Sequence, residues 1–134
     1  MVKWGEVNPG SDGAERIYIA TFLPLKKWSY LIPFLRMSLR VEGQMKRSPG
    51  IIRYSLRTNL LKKHFWTLSV WTDRISMEEF VSGEPHATAV KHFERWAGGG
   101  AAFAEWKMAG GSKDWTIALE KLKNPTFYYQ AGHR

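Results

Sequence analysis

The chain has 134 residues, 44% of them hydrophobic and 14% aromatic, with seven Trp, no Cys and a formal charge of +8. That length builds one domain with a real core, not two, and the apolar content excludes a disordered chain. The lack of Cys excludes disulfide scaffolds, thiolate zinc sites and cysteine nucleophiles.

The twenty Lys and Arg are spread from Lys3 to Arg134 with no run of five. That spread reads as a solubilising surface before it reads as a nucleic-acid footprint.

Residues 1–16 are rich in Gly, Asn, Pro and Asp and predict a loose arm. They lack the apolar core of a signal peptide or a membrane span, so a cytoplasmic protein without a membrane partner is expected. Ile17 to Leu23 predicts a strand ended by Pro24. Trp28 to Arg47 predicts a helix with Pro33 in its first turn. Its apolar stripe is Phe34, Met37, Val41 and Met45, with Arg36, Arg40 and Arg47 off the stripe.

Ser48-Pro49-Gly50 is a turn. Ile51 to Thr58 and His64 to Thr72 are strands, joined by a hairpin over Asn59 to Lys63. Ser76, with Glu79 three residues on, predicts an N-cap. The helix that follows is interrupted at Gly83-Glu84-Pro85, resumes to Ala97 and ends at Gly98-Gly99-Gly100. Ala101 to Met108 is a fourth strand. Gly110-Gly111-Ser112 is a loop, and Asp114 caps a last helix that stops at Pro125.

The order β-α-β-β-α-β plus a helix predicts an α+β, ferredoxin-like fold with an antiparallel sheet. Its domain spans 17–125, with a tail over 126–134. Strand faces give an independent clue. In the third strand His64, Trp66, Leu68 and Val70 point one way, and Phe65, Thr67, Ser69 and Trp71 the other. The first strand is also apolar on both faces. The second carries Ile52, Tyr54 and Leu56 opposite Arg53, Ser55 and Arg57, and the fourth carries Glu105 and Lys107 on one face. Two-sided strands belong in the middle, so the first and third are predicted at the centre. Two helices cover one face only. The other needs a second subunit, the C-terminal helix or stacked nucleic-acid bases.

The βαββαβ order, Ser48-Pro49-Gly50-Ile51, and the run Phe65-Trp66-Thr67-Leu68-Ser69-Val70-Trp71-Thr72-Asp73 followed by Met77, Phe80 and His86 resemble the dimeric α+β-barrel superfamily. The nearest group is the antibiotic biosynthesis monooxygenase-like domains. The tract Trp71 to His86 also resembles spheroidene monooxygenase-type proteins, and Ala102 to Pro125 resembles related bacterial domains of unknown function. The resemblance implies a homodimer whose two sheets face each other as a barrel. It also implies a pocket in each subunit between sheet and helices, used by cofactor-free oxygenases and haem-degrading enzymes among others. Haem-degrading members carry a Trp early in the second helix and a His about ten residues later. Phe80 and Val90 stand there instead, flanked by His86 and His92, which disfavours that haem cleavage and leaves haem binding through His86 open.

His86 lies on the stripe His86, Ala89, Val90, Phe93, Ala97, near the pocket the resemblance implies. It is the candidate catalytic base, or else a satisfied core histidine. His92 is turned away from it, and no metal site is expected. The candidate ligand contacts are Tyr54, Trp66, Trp71 and Phe93, through stacking on a flat molecule, with Arg53 able to fork onto an anionic group. Core and dimer packing are the competing roles for the aromatics. Gly110-Gly111-Ser112-Lys113 lacks the full phosphate-loop pattern.

Three functions are therefore expected in order. The first is a monooxygenase-like protein, cofactor-independent or haem-associated, binding an apolar or aromatic small molecule. The second is a non-enzymatic ligand or haem binder. The third is an RNA-binding module, disfavoured because residues 63–70 lack the RNA-recognition signature.

Overall fold

The two strands with apolar residues on both faces sit side by side in the middle of the sheet, as their pattern requires. The computed structural model describes residues 2–6, 15–109 and 115–128. Its elements are β1 (Val2–Glu6), β2 (Glu15–Pro24), α1 (Leu31–Lys46), β3 (Ile51–Asn59), β4 (His64–Trp71), α2 (Arg74–Ser82), α3 (His86–Trp96), β5 (Ala102–Ala109), α4 (Trp115–Lys123) and β6 (Phe127–Tyr128). The sheet order is β1-β3-β4-β2-β5-β6, and every pair is antiparallel. The α+β, ferredoxin-like architecture is as expected.

Several details differ from the sequence reading. The loose arm expected over 1–16 contains an edge strand, because β1 pairs with β3 from Val2↔Arg57 to Glu6↔Arg53. Gly5 lets it approach: a Cβ there would stand 2.6 Å from Tyr54 Cζ. At the far edge β6, inside the expected tail, pairs with β5. So β3 and β5 are each covered by a further strand. The second helix is capped by Asp73 and not by Ser76, for Asp73 Oδ1 accepts from the Ser76 N–H at 2.7 Å. The Gly110–Asp114 loop and cap lie outside the described residues.

Helices α1, α2 and α3 cover one sheet face with two apolar clusters. One joins Phe34, Phe65, Phe93 and Ala97, and the other joins Ile17, Ile51, Trp71, Met77 and Phe80. The opposite face carries α4, whose Trp115 and Ala118 pack on Tyr18, Ala20, Leu68 and Val70. The Trp115 indole N–H donates to Ser55 Oγ at 2.9 Å. Of the three covers the sequence allowed, the C-terminal helix takes this half of the face. A bulge between Ile51 and Arg53 turns Ile52 onto the α4 side, away from Tyr54 and Leu56.

The turn after α1 is closed by Gly50, which has φ +86° and accepts the Thr72 N–H at 2.8 Å. An added Cβ would lie 2.5 Å from Ser76 Cβ. Gly50→Ala is therefore expected to cost about 1–3 kcal/mol by strain and contact. Urea denaturation measures it, and an unchanged midpoint would refute the assignment.

Candidate functional site

α2 and α3 meet at Gly83-Glu84-Pro85, and Gln44 from α1 locks the junction. Its Nε2 donates to the Phe80 carbonyl at 2.9 Å, and its Oε1 accepts from the His86 backbone N–H at 2.8 Å. The His86 ring then places Nδ1 3.0 Å from the Val81 carbonyl. A carbonyl only accepts, so Nδ1 carries the proton and Nε2 carries a lone pair. Among the described residues Nε2 has no hydrogen-bond partner, yet it is not sealed from solvent. The imidazole lies 4.8 Å from the Phe80 ring, which lies 5.2 Å from Trp71. Burial lowers the His86 pKa below 6.5, against the opposing pull of the Val81 hydrogen bond and Glu84. At pH 7 the group is a neutral base.

That shift has a consequence for stability. The unfolded imidazole takes up its proton first as pH falls, so stability present above pH 6.5 is lost between that value and the folded pKa. Burial also lowers His64, with Lys62 and Lys63 adding to the shift, so it contributes with the same sign. His86→Asn keeps a donor for Val81 and cannot titrate. Denaturation at a series of pH values is expected to give a shallower loss below pH 6.5 in the variant, and equal slopes would contradict this.

The candidate residues divide between the two faces. Tyr54, Trp71, His86 and Phe93 stand on the helix-bearing side. Arg53 and Trp66 stand on the α4 side, since Arg53 pairs with Val70 and Arg57 with Trp66. Trp71 is 1% exposed, donates to Ser69 Oγ at 2.9 Å and belongs to one apolar cluster, while Phe93 belongs to the other. Tyr54 donates to Glu42 Oε2 at 2.7 Å; burial and Glu42 raise its phenol pKa. Trp66 lies 5.4 Å from Phe22, with the Arg57 guanidinium 5.5 Å over its ring. His92 stacks on Trp96, apart from His86.

Between the two apolar clusters of the helix-bearing face lies a polar saddle. Thr21 and Thr67 are directly opposite in the central β2–β4 pair, and their hydroxyls hydrogen-bond to each other. Both are half-buried, as are Ile19 and Leu56 nearby. Where the end of α1 meets α2, an open cleft of about 260 Å³ is bordered by Gln44, Ser48, Ser76, Glu79, Phe80 and Glu84. The Thr pair and Gln44 were missed in the sequence. A Thr in the middle of each central strand was the available signal for the first; Gln44 gave none.

Among the described residues no three His, Asp or Glu side chains form a metal-holding group. An imidazole can be an axial ligand for haem, and the Phe80 ring lies 4.8 Å from that of His86. The Phe80 ring covers one flank of the imidazole, and Trp71 and Phe93 are packed into the core.

No family model matches the chain, and no curated protein matches its sequence. Solved structures do resemble it. SnoaB, a cofactor-independent oxygenase from Streptomyces nogalater, superposes with a TM-score of 0.54 at 14% identity, over 75% of this chain and 96% of the other. The heme-degrading enzyme LmHde from Listeria monocytogenes gives 0.60 at 14% identity, over 77% and 65%. An antibiotic biosynthesis monooxygenase gives 0.59 at 13% identity, over 72% and 99%. These likenesses define the class: an α+β domain with the antibiotic biosynthesis monooxygenase-like fold.

Proposed function

We propose that this chain is a monooxygenase-like protein that takes a small, flat, apolar or aromatic molecule on its helix-bearing face. The observation that carries this reading is the half-buried His86 imidazole, whose Nδ1 holds its proton against the Val81 carbonyl and whose Nε2 lone pair has no partner among the described residues. Nε2 accepts the acidic proton of a quinol or anthrone. The resulting anion can itself give an electron to oxygen, so the protein supplies a base, orientation and a partly dry surface. The Thr21–Thr67 hydroxyls offer hydrogen bonds to a substrate oxygen on the saddle. Oxygen uptake with a panel of quinols and anthrones tests the reading. Turnover that depends on His86 is expected; no uptake with any member, or an unchanged rate in His86→Ala, would sink it.

We further infer that two copies pair through the half of the opposite face that α4 leaves clear. Phe22, His64 and Trp66 form an aromatic group there, half-buried in the single chain. Light scattering is expected to give a dimer, and Trp66→Glu a monomer. A wild-type monomer at high concentration would rule the pairing out.

A further inference from the structure

The positive charge is unevenly placed along the chain. Residues 16–72 contain eleven Lys and Arg and a single acid, Glu42. That carboxylate accepts from Tyr54 and lies 3.9 Å from Lys46. The other nine Lys and Arg are outnumbered by eleven acids. The same segment carries an unusual share of bare apolar side chains. Leu61 is 92% exposed, Leu39 69% and Ile32 62%, with Trp28 and Leu60 about half exposed.

The fold gathers these groups on one side. On α1, Ile32, Leu35 and Leu39 follow helical spacing and lie opposite the stripe through Phe34, Val41 and Met45 that packs on the sheet. Trp28, exposed in the short 3-10 turn that leads into α1, precedes that stripe in the chain. The β3–β4 hairpin tip stands beside it: the Leu25 N–H donates to the Lys63 carbonyl at 2.9 Å, and Lys63 Nζ lies 5.1 Å over the Trp28 ring. Leu60 and Leu61 form that tip. Around the apolar groups stand the cations Lys26, Lys27, Arg36, Arg40 and Lys62, all exposed.

We propose that this surface, the outer face of α1 with the Leu60–Leu61 tip, docks the protein onto an anionic lipid bilayer. It is independent of the catalytic reading. An aliphatic ridge with a Trp and a collar of Lys and Arg is the composition that settles at a charged membrane interface. Charge complementarity selects an acidic surface. The chemistry of the apolar groups selects lipid over nucleic acid, because bases stack on aromatic rings and four of the five most exposed groups are aliphatic. No described helix is long and apolar enough to cross a membrane, so the contact is peripheral.

Co-sedimentation of the full chain with phosphatidylcholine vesicles, with and without phosphatidylserine, tests the proposal. Binding is expected only with phosphatidylserine, and it should weaken as salt rises. Leu61→Asp should lower it at least about tenfold, and Lys62→Ala about fivefold. Leu61 points into solvent, so its variant should keep the wild-type circular dichroism spectrum, and Leu39→Asp tests the helix part separately. Equal binding to both vesicle types, no binding, or full binding by both aspartate variants would overturn the proposal. So would single-stranded RNA that displaces the protein from the vesicles.

Discussion

His86→Ala is expected to lower the turnover of a responsive quinol or anthrone about 10²–10⁴-fold, the range supplied by a positioned general base. The loss should fall on kcat more than on KM, because proton transfer is needed in the transition state and not for binding. The substitution also removes the Nδ1–H bond to Val81, a contact worth about 1 kcal/mol. His86→Asn separates the two roles, since its amide can still donate to Val81 but cannot act as a base. If both variants lose activity equally, the imidazole is the base. If the asparagine variant retains full activity, His86 merely closes the end of α2.

Trp71→Ala is expected to destabilise the fold by about 3–5 kcal/mol, the cost of emptying a large aromatic site in a packed core. Its ring is 1% exposed, touches Phe80 at 5.2 Å and gives its N–H to Ser69. Truncation leaves a cavity and removes the Ser69 hydroxyl's donor. For a chain this size that is a fall in Tm on the order of 10–25 °C. Trp66→Ala, on a half-buried ring, should cost the isolated chain clearly less. A Trp71 loss below about 1 kcal/mol in urea denaturation would mean that the ring lines a space and does not fill the core. Haem titration gives a related expectation. A saturable Soret shift that is lost in His86→Ala would place haem on that imidazole, and no shift with the wild-type chain would remove that reading.

Much of the architecture was legible because it is periodic. The two-sided patterns of β2 and β4 set the middle of the sheet, and Gly83-Glu84-Pro85 marked the break between α2 and α3. Long-range events were not legible. β1 pairs along β3 with Gly5 fitted beneath the Tyr54 ring, and α4 meets its face through an apolar cluster and a Trp115–Ser55 bond across sixty positions. The bulge at Ile51/Arg53 breaks the period-two pattern without a turn residue to announce it.

The site was less legible still. Strand alternation already puts Trp66 and Trp71 on opposite faces, so one flat molecule cannot stack on both; which of the two is core and which is half-buried depends on the helices packed over them. His86 was found by helical spacing. Its proton, its open nitrogen and the Gln44 brace depend on how α1 packs against the α2–α3 junction, which no local pattern encodes. The Thr21–Thr67 pair needed the strand register.

Long-range ¹⁵N–¹H spectra of the histidine rings test the central claim most directly, because they report the proton and the lone pair of His86 without requiring turnover. At pH 7 His86 should appear neutral with the proton on Nδ1, titrate below 6.5, and show its Nε2 resonance moving when a quinol that drives oxygen uptake is added. A charged His86 at pH 7, or an Nε2 resonance unmoved by saturating quinol, would contradict it.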